Sequence, residues 1–399
     1  MTGAGSMRIL ITGGGTGGHL YPGIAVAEVV QARVPGAEIL FVGGTRLEAH
    51  VLREAGWPFE TVAAHPLPRR IGLSLVSSTA VNSAGTVQSL GLLRRWRADV
   101  VLATGGYVAG PVGLAAVILG IPLVLQEQNM LPGLANFWLA RWARAISVPA
   151  LIPGFPADRV VVTGVPVRPS VLRGDRELAR RAFGLTDRFT ILVLGGSQGA
   201  MSLNRAVGEA ATLMMYEPIQ MLHQTGREHL EWVRREIGHR EHVGPPVIRQ
   251  IPLPFIEQMG DAYAAADLVI CRAGASTLAE VTAWGLPAIL VPYPYAAGRH
   301  QDANARLLAS AGAVEVIPDA ELTGLRLQDL IRDLLRDRPR LRAMAGASRG
   351  LGRPDAAERV LDLLLLAAGR KSMAPAPEPP GESAGGQRTH RFGATHIPG

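Results

Sequence analysis

The stretch RILITGGGTGGHLYPGIAVAEVV, residues 8–30, and the stretch ILVLGGSQGAMSLNRAVGEA, residues 191–210, share one build. Each places a short apolar strand before a glycine-rich turn and an amphipathic helix after it. Such a turn exposes backbone N–H groups at the positive end of a helix, where phosphate oxygens bind well. Two copies half a chain apart predict an α/β protein of two doubly wound halves, with one anion site on each side of the cleft between them.

The chain is long enough for two domains and apolar enough to bury a parallel sheet in each. It has 399 residues, of which 48% are hydrophobic. Its one cysteine, Cys271, lies in an apolar run and is interpreted as a core residue. Because there is only one cysteine, no disulfide can form within the chain. The formal net charge is +7. The arginines are not interleaved with aromatic residues as in nucleic-acid-binding patches, so we expect phosphorylated substrates or an anionic membrane as partners.

Apolar strands alternate with helical stretches in both halves, which is typical of parallel sheets. The N-terminus lacks the long apolar stretch of a signal peptide. The uncharged run 100–126 has membrane-spanning length, but glycines and prolines punctuate it, so a strand–helix–strand unit is the better interpretation. The predicted strands are 8–12, 38–42, 100–103, 123–126 and 145–148 in the first half, and 190–194, 220–224, 247–251, 268–271, 288–291 and 313–317 in the second.

Composition sets the domain boundaries. The segment 160–169, VVVTGVPVRP, carries two prolines and is interpreted as the end of the first domain and the hinge. The alternative that the apolar last helix, 355–366, packs back on the first domain stays open. The tail is rich in Pro, Gly, Ser and Ala and is expected to be disordered. The predicted units are an N-terminal extension 1–6, a first domain 7–168, a second domain 169–370 and the tail 371–399.

The first turn departs from the dinucleotide-binding fingerprint. Gly43 and Gly44 stand where an acidic residue would bind the ribose of NAD, which argues against that cofactor. His19 lies at the start of the following helix, which is interpreted as opening with Pro22 near its first turn. A helix N-terminus lowers the pKa of an imidazole, so His19 is a candidate general base. A histidine that makes one backbone hydrogen bond is the equally weighted alternative.

Polar residues at the predicted cleft of the second half supply further candidates. Ser197 can face a phosphate or cap a helix. Glu280 lies one turn into the helix that begins at CRAGASTLAE, where a carboxylate holds ribose hydroxyls or complements the helix dipole. Gln301 follows a cleft loop and can read sugar hydroxyls. The segment QEQNMLPGLAN follows a buried strand of the first half, which makes Asn129 and Asn136 site candidates.

Seven motifs run in a fixed order from Arg8 to Ala305: GGGTGGHLYPGIA, GGYVAGP, QEQNMLPGLAN, GVPVRPSV, GGSQGAMSLN, CRAGASTLAE and RHQDANA. Together they resemble the MurG family, the membrane-associated N-acetylglucosaminyltransferases that make lipid II for peptidoglycan. The resemblance extends through the last helix to Arg370, which is nearly the whole chain except the tail. It implies a GT-B fold, in which two Rossmann-like domains face a deep cleft.

The resemblance also implies an activity and its residues. The enzyme would move N-acetylglucosamine from UDP-GlcNAc, with inversion, to the C4 hydroxyl of the muramoyl sugar on undecaprenyl-pyrophosphate, for cell-wall synthesis, cell shape and division. His19 would be the catalytic base or orient the nucleophile. The donor site would contain Thr16, Gly17, Gly18, Asn129, Arg168, Ser197, Ile256, Ala275, Ser276, Thr277, Leu278, Ala279, Glu280 and Gln301. The acceptor candidates are Gly14, Gly15, Tyr107 and Asn136.

No Asp-x-Asp motif is present to hold a divalent ion, so we expect no cofactor and no tightly bound metal. A helix dipole and loop amides would stabilise the departing diphosphate instead. The expected partners are UDP-GlcNAc, undecaprenyl-linked lipid I, an anionic membrane surface and other cell-wall synthesis proteins, and not nucleic acid. The expected location is peripheral, at the cytoplasmic face of the bacterial plasma membrane.

Arginines beside apolar residues predict how the chain reaches that membrane. An ordinary amphipathic helix with a solvated basic face is the alternative. The candidate basic residues are Arg69, Arg70, Arg94, Arg95, Arg97, Arg141 and Arg144. Their candidate apolar neighbours are Ile71, Leu73, Leu75, Val76, Trp96, Phe137, Trp138 and Trp142.

The chain departs from the family pattern at two motif positions. Gln126 stands where the family usually has histidine, and Val165 stands where it has asparagine. One rival function is that of another GT-B enzyme, such as a lipid-acceptor glycosyltransferase or a UDP-GlcNAc epimerase. The other is that of a non-catalytic UDP-sugar-binding subunit. The presence of both His19 and Glu280 favours an enzyme, and the QEQNMLPGLAN and GGYVAGP motifs favour lipid II formation.

Overall fold

The structure is a computed structural model that describes residues 6–15, 17–45, 47–66, 73–243 and 247–371. Several predictions concern residues outside these ranges: the site residue Thr16, the basic residues Arg69 and Arg70 with the neighbouring Ile71, and the disorder of the tail. Within the described residues the chain folds into two parallel β-sheets with helices on both faces of each.

The first sheet contains the strands β1 (Arg8–Thr12), β2 (Glu38–Gly43), β3 (Phe59–Thr61), β4 (Val100–Ala103), β5 (Leu123–Gln126), β6 (Ala145–Val148) and β7 (Val160–Val162). Their order across the sheet is β3-β2-β1-β4-β5-β6-β7, and every pair is parallel. Its helices are α1 (Gly17–Arg33), α2 (Leu47–Glu54), α3 (Leu73–Trp96), α4 (Ala109–Ile118) and α5 (Leu134–Leu139).

The second sheet contains the strands β8 (Phe189–Leu194), β9 (Ile219–Gln224), β10 (Arg249–Leu253), β11 (Leu268–Cys271), β12 (Ala288–Leu290) and β13 (Val314–Val316), in the order β10-β9-β8-β11-β12-β13. Its helices are α6 (Arg176–Ala182), α7 (Met201–Leu213), α8 (Leu230–Val243), α9 (Met259–Ala265), α10 (Ala275–Trp284), α11 (His300–Ser310), α12 (Gly324–Arg336) and α13 (Arg338–Leu351). The last helix is α14 (Ala356–Ala367).

Each sheet is buried on both faces because successive apolar residues of its central strands point to opposite faces. In β1, Ile9 and Ile11 enter the core cluster on one face while Leu10 enters the cluster on the other. In β8, Ile191 and Leu192 divide in the same way. Continuous apolar runs of this kind are what a parallel sheet between two helical layers requires.

The last helix crosses back to the first domain. α14 packs against α1 and buries its apolar face in the core cluster that contains Ile9 and Val26. The chain passes close to the end of the first sheet on the way, where Gly164 has a φ of +87° and a Cβ would lie 2.5 Å from the Cβ of Arg353. The buried residues of α14 are Ala356, Ala357, Val360, Leu361, Leu364 and Leu365.

The α/β class with two doubly wound sheets is confirmed, and every predicted strand is present, with ends that differ by no more than two residues. Two strands were missed, β3 and β7, each of three residues at an edge of the first sheet. β3 reads Phe-Glu-Thr and is largely exposed, so no apolar run signals it. β7 occupies the start of the segment that was interpreted entirely as a hinge.

The uncharged run 100–126 forms β4, α4 and β5, as predicted. Among the described residues, no helix combines the length and the apolar character needed to cross a membrane.

Candidate functional site

The two glycine-rich turns follow β1 and β8, the strands beside which each sheet reverses its order. In an open parallel sheet, ligands bind at such a switch point, outside the carboxyl ends of the strands. Residues 104–107 after β4 border the first crevice, and residues 272–276 after β11 border the second. Hydrogen bonds between α11 and the segment after β5 join the two crevices. Predicted site residues of both domains that the structure describes, such as Asn129 and Gln301, therefore lie around one cleft.

In the first turn, the amides of the acceptor candidates Gly14 and Gly15 are used within the protein. The Gly14 N–H donates to the Gly105 carbonyl at 3.3 Å, and the Gly15 N–H donates to Glu48 Oε1 at 3.3 Å. Gly15 has a φ of +93°, and a Cβ on it would lie 2.8 Å from the Tyr107 ring. Glycine is required at this position by both the backbone conformation and the close approach of Tyr107.

Gly17 and Gly18 begin α1, and His19 follows in its first turn. His19 Nδ1 lies 3.0 Å from the Thr104 carbonyl, which only accepts hydrogen bonds. We assign the proton to Nδ1 on the basis of this contact, an assignment that leaves Nε2 with its lone pair. Burial lowers the pKa of His19 below its ordinary 6.5, although the Glu127 carboxylate nearby opposes the shift. The imidazole is thus a neutral base with its acceptor nitrogen fixed.

Gln128 holds His19 and the start of α1 in place. Pro22 lies in the second turn of α1 rather than opening the helix, as the sequence interpretation had it. It has no N–H to donate to the Gly18 carbonyl, four residues earlier. Gln128 Nε2 donates to that carbonyl at 3.0 Å and to the Thr104 carbonyl at 3.2 Å, and it also contacts His19 Nδ1. The proline is tolerated because Gln128 supplies the missing donor.

A buried carboxylate, Glu127, shapes the segment after β5. Glu127 is 1% exposed and accepts from the N–H groups of Asn129 at 3.0 Å and Gly133 at 2.9 Å. Asn136 Nδ2 donates to Glu127 Oε2 at 3.0 Å and to the Gln126 carbonyl at 3.1 Å. Asn129 Nδ2 lies 3.3 Å from Glu127 Oε1. The two predicted asparagines are thus held by one carboxylate that the sequence interpretation passed over.

In the second domain, Ser197 lies exposed in the turn before α7, and Gly196 beside it has a φ of +86°. Gln224 at the end of β9 connects this turn to Ile256, another predicted donor-site residue. Gln224 Nε2 donates to the Gly196 carbonyl at 3.0 Å, and Gln224 Oε1 accepts from the Ile256 N–H at 2.9 Å. One buried amide therefore sets the spacing of two predicted donor-binding segments.

Glu280 in α10 is paired with a residue the sequence did not indicate. Tyr263 in α9, which is 1% exposed, donates its hydroxyl to Glu280 Oε2 at 2.8 Å. Burial raises the pKa of Glu280, while the Tyr263 hydrogen bond and Arg168 act in the opposite direction. Arg168 stacks over the Tyr21 ring of α1 with 4.8 Å from its Cζ to the ring centroid. Arg168 thus lies between α10, which carries Glu280, and α1, which carries His19.

The start of α10 has one polar atom without a partner. Gly274 caps the helix without a side-chain hydrogen bond, and Ser276 Oγ is buried with no hydrogen bond among the described residues. A buried hydroxyl normally has a partner, so Ser276 is suited to contact a ligand. Three other predicted residues, Ala275, Leu278 and Ala279, line a cavity between the domains. Thr277, also predicted, lies partly exposed in the first turn of the helix.

Gln301, which is predicted to bind the sugar, holds the cleft loop before α11. Gln301 Oε1 accepts from the Tyr293 N–H at 2.9 Å, which leaves its NH₂ group turned to other partners. His300, one residue earlier, directs Nδ1 to the Ala297 carbonyl at 2.8 Å. His300 is close enough to His19 across the cleft to lower its pKa. The N-terminal end of α11 therefore lies opposite the candidate base.

Among the described residues, no group of three or more His, Cys, Asp or Glu is arranged to hold a metal ion. Arg272, at the end of β11, is committed to structure: its guanidinium donates to Asp319 Oδ1 at 2.6 Å and to Ser202 Oγ at 2.8 Å. It thereby fixes the start of α7 behind the second glycine turn.

The sequence interpretation missed Glu48, Glu127, Gln128, Gln224 and Tyr263 as supports of the site. The two residues of the QEQN segment carried a usable signal, because polar residues directly after a buried parallel strand line its crevice. Gln224 also ends a strand and carried the same signal. Glu48 and Tyr263 lie inside helices, where only the tertiary packing brings them to the site.

Comparisons with known proteins agree with this geometry. Residues 9–148 match the glycosyltransferase family 28 N-terminal domain, and residues 190–360 match the corresponding C-terminal domain. A protein of Desulforudis audaxviator is 43% identical over 91% of this chain and 99% of its own length, and a protein of Moorella thermoacetica is 42% identical over 90% and 98%. Both are named UDP-N-acetylglucosamine--N-acetylmuramyl-(pentapeptide) pyrophosphoryl-undecaprenol N-acetylglucosamine transferase.

Solved structures give the same answer. The crystal structure of Acinetobacter baumannii MurG superposes with a TM-score of 0.73 at 32% identity, covering 90% of this chain and 99% of that one. A UDP-GlcNAc 2-epimerase from Neisseria meningitidis superposes at 0.62 over 90% of this chain and all of its own, but it is 14% identical and therefore shares the fold alone. The chain is a GT-B glycosyltransferase of family 28 and belongs to the MurG family.

Proposed function

We propose that this chain transfers N-acetylglucosamine from UDP-GlcNAc to the C4 hydroxyl of the muramoyl sugar of undecaprenyl-linked lipid I, with inversion, to form lipid II. Its membership of the MurG family supports this reaction. The observation that carries the chemistry is His19, whose Nδ1 is held by the Thr104 carbonyl at 3.0 Å. Nε2 is then the atom that takes the proton from the attacking hydroxyl.

His19 suits this role because its neutral form is favoured in the resting site. Burial lowers its pKa, so the base is unprotonated at neutral pH. The Glu127 carboxylate nearby then stabilises the imidazolium that forms as the hydroxyl attacks. A general base contributes roughly 10²–10⁴-fold to such a reaction.

The departing UDP would be stabilised by the second domain without a tightly bound metal. Its diphosphate would lie between the turn that carries Ser197 and the N-terminal end of α10, where the helix dipole and Ser276 Oγ act on it. The N-terminal end of α10 and the Ser276 side chain are in place before the reaction, so little reorganisation is needed as negative charge develops on the diphosphate.

The remaining donor contacts follow from the same placement. We assign the uracil to the backbone of Ile256, whose N–H is held by Gln224, and the ribose hydroxyls to Glu280. The sugar would lie between Gln301 of the second domain and Asn129 of the first. Arg168 would act from the hinge, where it already stacks on Tyr21.

The acceptor would bind beside the first turn. Because the Gly14 and Gly15 amides donate within the protein, the acceptor diphosphate is better served by the N-terminal end of α1, at Gly17 and Gly18. Tyr107 covers the turn at Gly15 and would border the acceptor. Asn136 would act through Glu127, which it bonds at 3.0 Å.

We further propose that the first domain binds an anionic membrane surface peripherally, at the cytoplasmic face, so that it reaches the lipid-linked acceptor. Phe137, Trp138 and Trp142 are exposed by 46%, 53% and 48%. Arg141 stacks over both tryptophan rings, at 4.8 and 5.0 Å from their centroids. Exposed aromatic rings with an arginine between them are suited to an anionic lipid interface.

Flotation with vesicles tests the membrane surface. The double variant Trp138→Ser/Trp142→Ser and the variant Arg141→Glu should each float less with anionic vesicles than the wild type does. The variant Tyr216→Ser, which removes an exposed ring from the second domain, is the matched control and should float normally. Equal flotation of all four proteins would rule out this surface.

A transfer assay tests the activity. Wild-type protein with UDP-GlcNAc and a lipid I analogue should yield lipid II and UDP. His19→Ala should lower kcat by roughly 10²–10⁴-fold, whereas Glu280→Ala should mainly raise KM for UDP-GlcNAc. His50→Ala, an exposed histidine of the same domain, is the control. Conversion of UDP-GlcNAc to UDP-N-acetylmannosamine without any transfer would instead indicate an epimerase.

A further inference from the structure

Asn304 of α11 makes hydrogen bonds from the second domain into the first. Its Oδ1 accepts from the Met130 N–H at 3.0 Å, and its Nδ2 lies 3.3 Å from Asn129 Oδ1. The same Nδ2 donates to the Ala273 carbonyl at 3.2 Å, within its own domain. The Met130 N–H requires an acceptor and the Ala273 carbonyl requires a donor, so the orientation of the amide is fixed by its partners. Asn304 is 3% exposed.

The side chain of Asn129 is consequently held from two sides. Its Oδ1 accepts from Asn304, and its Nδ2 lies 3.3 Å from Glu127 Oε1. An amide has two N–H groups and two carbonyl lone pairs. The second N–H of the Asn129 side chain makes neither of these bonds, but the two bonds fix the direction in which it points.

The contact surface around Asn304 is otherwise loosely packed. A cavity of about 220 Å³ lies between the domains, bordered by Met130, Val165, Leu278 and Leu307. Apolar side chains that border a cavity forgo part of their van der Waals contact. The directional bonds of Asn304, rather than close packing, therefore set the position of the Asn129 segment against α10 and α11.

We propose that Asn304 is an interdomain positioning residue that orients the Asn129 amide toward the donor sugar. This inference rests on the proposed function, in which Asn129 and Gln301 contact that sugar from opposite sides. Gln301 lies one helical turn before Asn304 on α11. The helix that carries the sugar contact of one domain thus also sets the sugar contact of the other.

Titration calorimetry with UDP and with UDP-GlcNAc tests the proposal without any acceptor. Asn304→Ala should weaken UDP-GlcNAc binding about tenfold, a loss of the size expected for one or two neutral hydrogen bonds, and change UDP binding less than about twofold. Because Asn304 acts through Asn129, the double variant with Asn129→Ala should bind no more weakly than the weaker single variant. Asn304→Asp, which keeps the oxygen for Met130 but loses the amide donor, should behave like Asn304→Ala.

Thr282→Val is the matched control. Thr282 borders the same cavity, but its hydroxyl donates to carbonyls of its own helix, so both ligands should bind it normally. Equal loss of UDP and UDP-GlcNAc affinity in both Asn304 variants, or additive losses in the double variant, would overturn the proposal. Failure of the wild type to bind UDP-GlcNAc would overturn the proposed function itself, and the role of Asn304 with it.

Discussion

Replacing Gln224 by leucine should separate donor binding from fold stability. The substitution removes the bonds from Gln224 to the Gly196 carbonyl and from the Ile256 N–H, at 3.0 and 2.9 Å. It also leaves the buried Ile256 N–H without its acceptor. Lost neutral bonds together with an unpaired buried donor cost about 2–4 kcal/mol of unfolding free energy. The spacing between the second turn and the segment at Ile256, to which we assign the uracil, is then no longer fixed, so UDP should bind roughly tenfold more weakly, by about 1.4 kcal/mol.

The same strand supplies a matched control, Gln220→Leu. Gln220 is a buried amide in β9 that accepts from the Thr186 N–H at 3.1 Å and donates to the Thr186 carbonyl at 2.8 Å. It lies toward the amino end of the strand, on the side away from the cleft. Its loss should reduce the unfolding free energy comparably and leave UDP affinity within about twofold of the wild type.

Urea unfolding and calorimetry with UDP, run on both variants, decide the matter. A selective loss of UDP affinity in Gln224→Leu supports the role of Gln224 in donor binding. Equal weakening of UDP in the two variants would show that Gln224 contributes only general stability. Unchanged UDP affinity in Gln224→Leu would refute the reasoning outright.

Four further outcomes are expected. Because burial lowers the pKa of His19, activity should be lost only as pH falls below 6.5, and an acid limb of kcat/KM at or above pH 6.5 would contradict His19 as the base. Burial lowers the pKa of His223 to about 3, so the unfolded state binds a proton at this residue before the folded state does as pH falls from 6.5. Urea unfolding should show that the unfolding free energy has fallen by about 2–3 kcal/mol at pH 4.5. The unfolding free energy of His223→Gln should fall less over the same range. Arg272→Lys keeps the charge but not the forked contacts to Asp319 and Ser202, so its Tm should fall, and an unchanged Tm would count against them. Transfer should persist in excess chelator, whereas loss restored by Mg²⁺ would contradict metal-independent catalysis.

The sequence predicted the fold because local patterns and the global topology agree. Apolar runs such as 8–12 and 190–194 are buried on both faces, so they need no alternation to be recognised. The edge strand β3, Phe59–Thr61, carries no such run. The edge strand β7, Val160–Val162, is apolar but only three residues long, and the glycine and prolines that follow it led to its interpretation as part of the hinge. The position of Pro22 was misjudged for a related reason: its compensating donor, Gln128, is distant in sequence.

The candidate site was predictable at its rim and not in its supports. Motif residues such as His19 and Ser197 lie in or next to the turns that follow β1 and β8, where sequence patterns place cleft residues. Their partners are set by tertiary contacts: Tyr263 reaches Glu280 from another helix, and Glu48 reaches Gly15 from beneath the loop. The engagement of the Gly14 and Gly15 amides was unforeseeable for the same reason, since glycine spacing does not show which amides are already bonded.

A crystal structure with bound UDP-GlcNAc tests most directly whether the two turns serve one reaction across a shared cleft. We expect uracil against Ile256, the diphosphate between Ser197 and the start of α10, and the sugar within reach of Gln301 and Asn129, with its anomeric carbon facing His19. Nucleotide bound away from Ser197 and Glu280, or a sugar directed away from His19, would contradict the account.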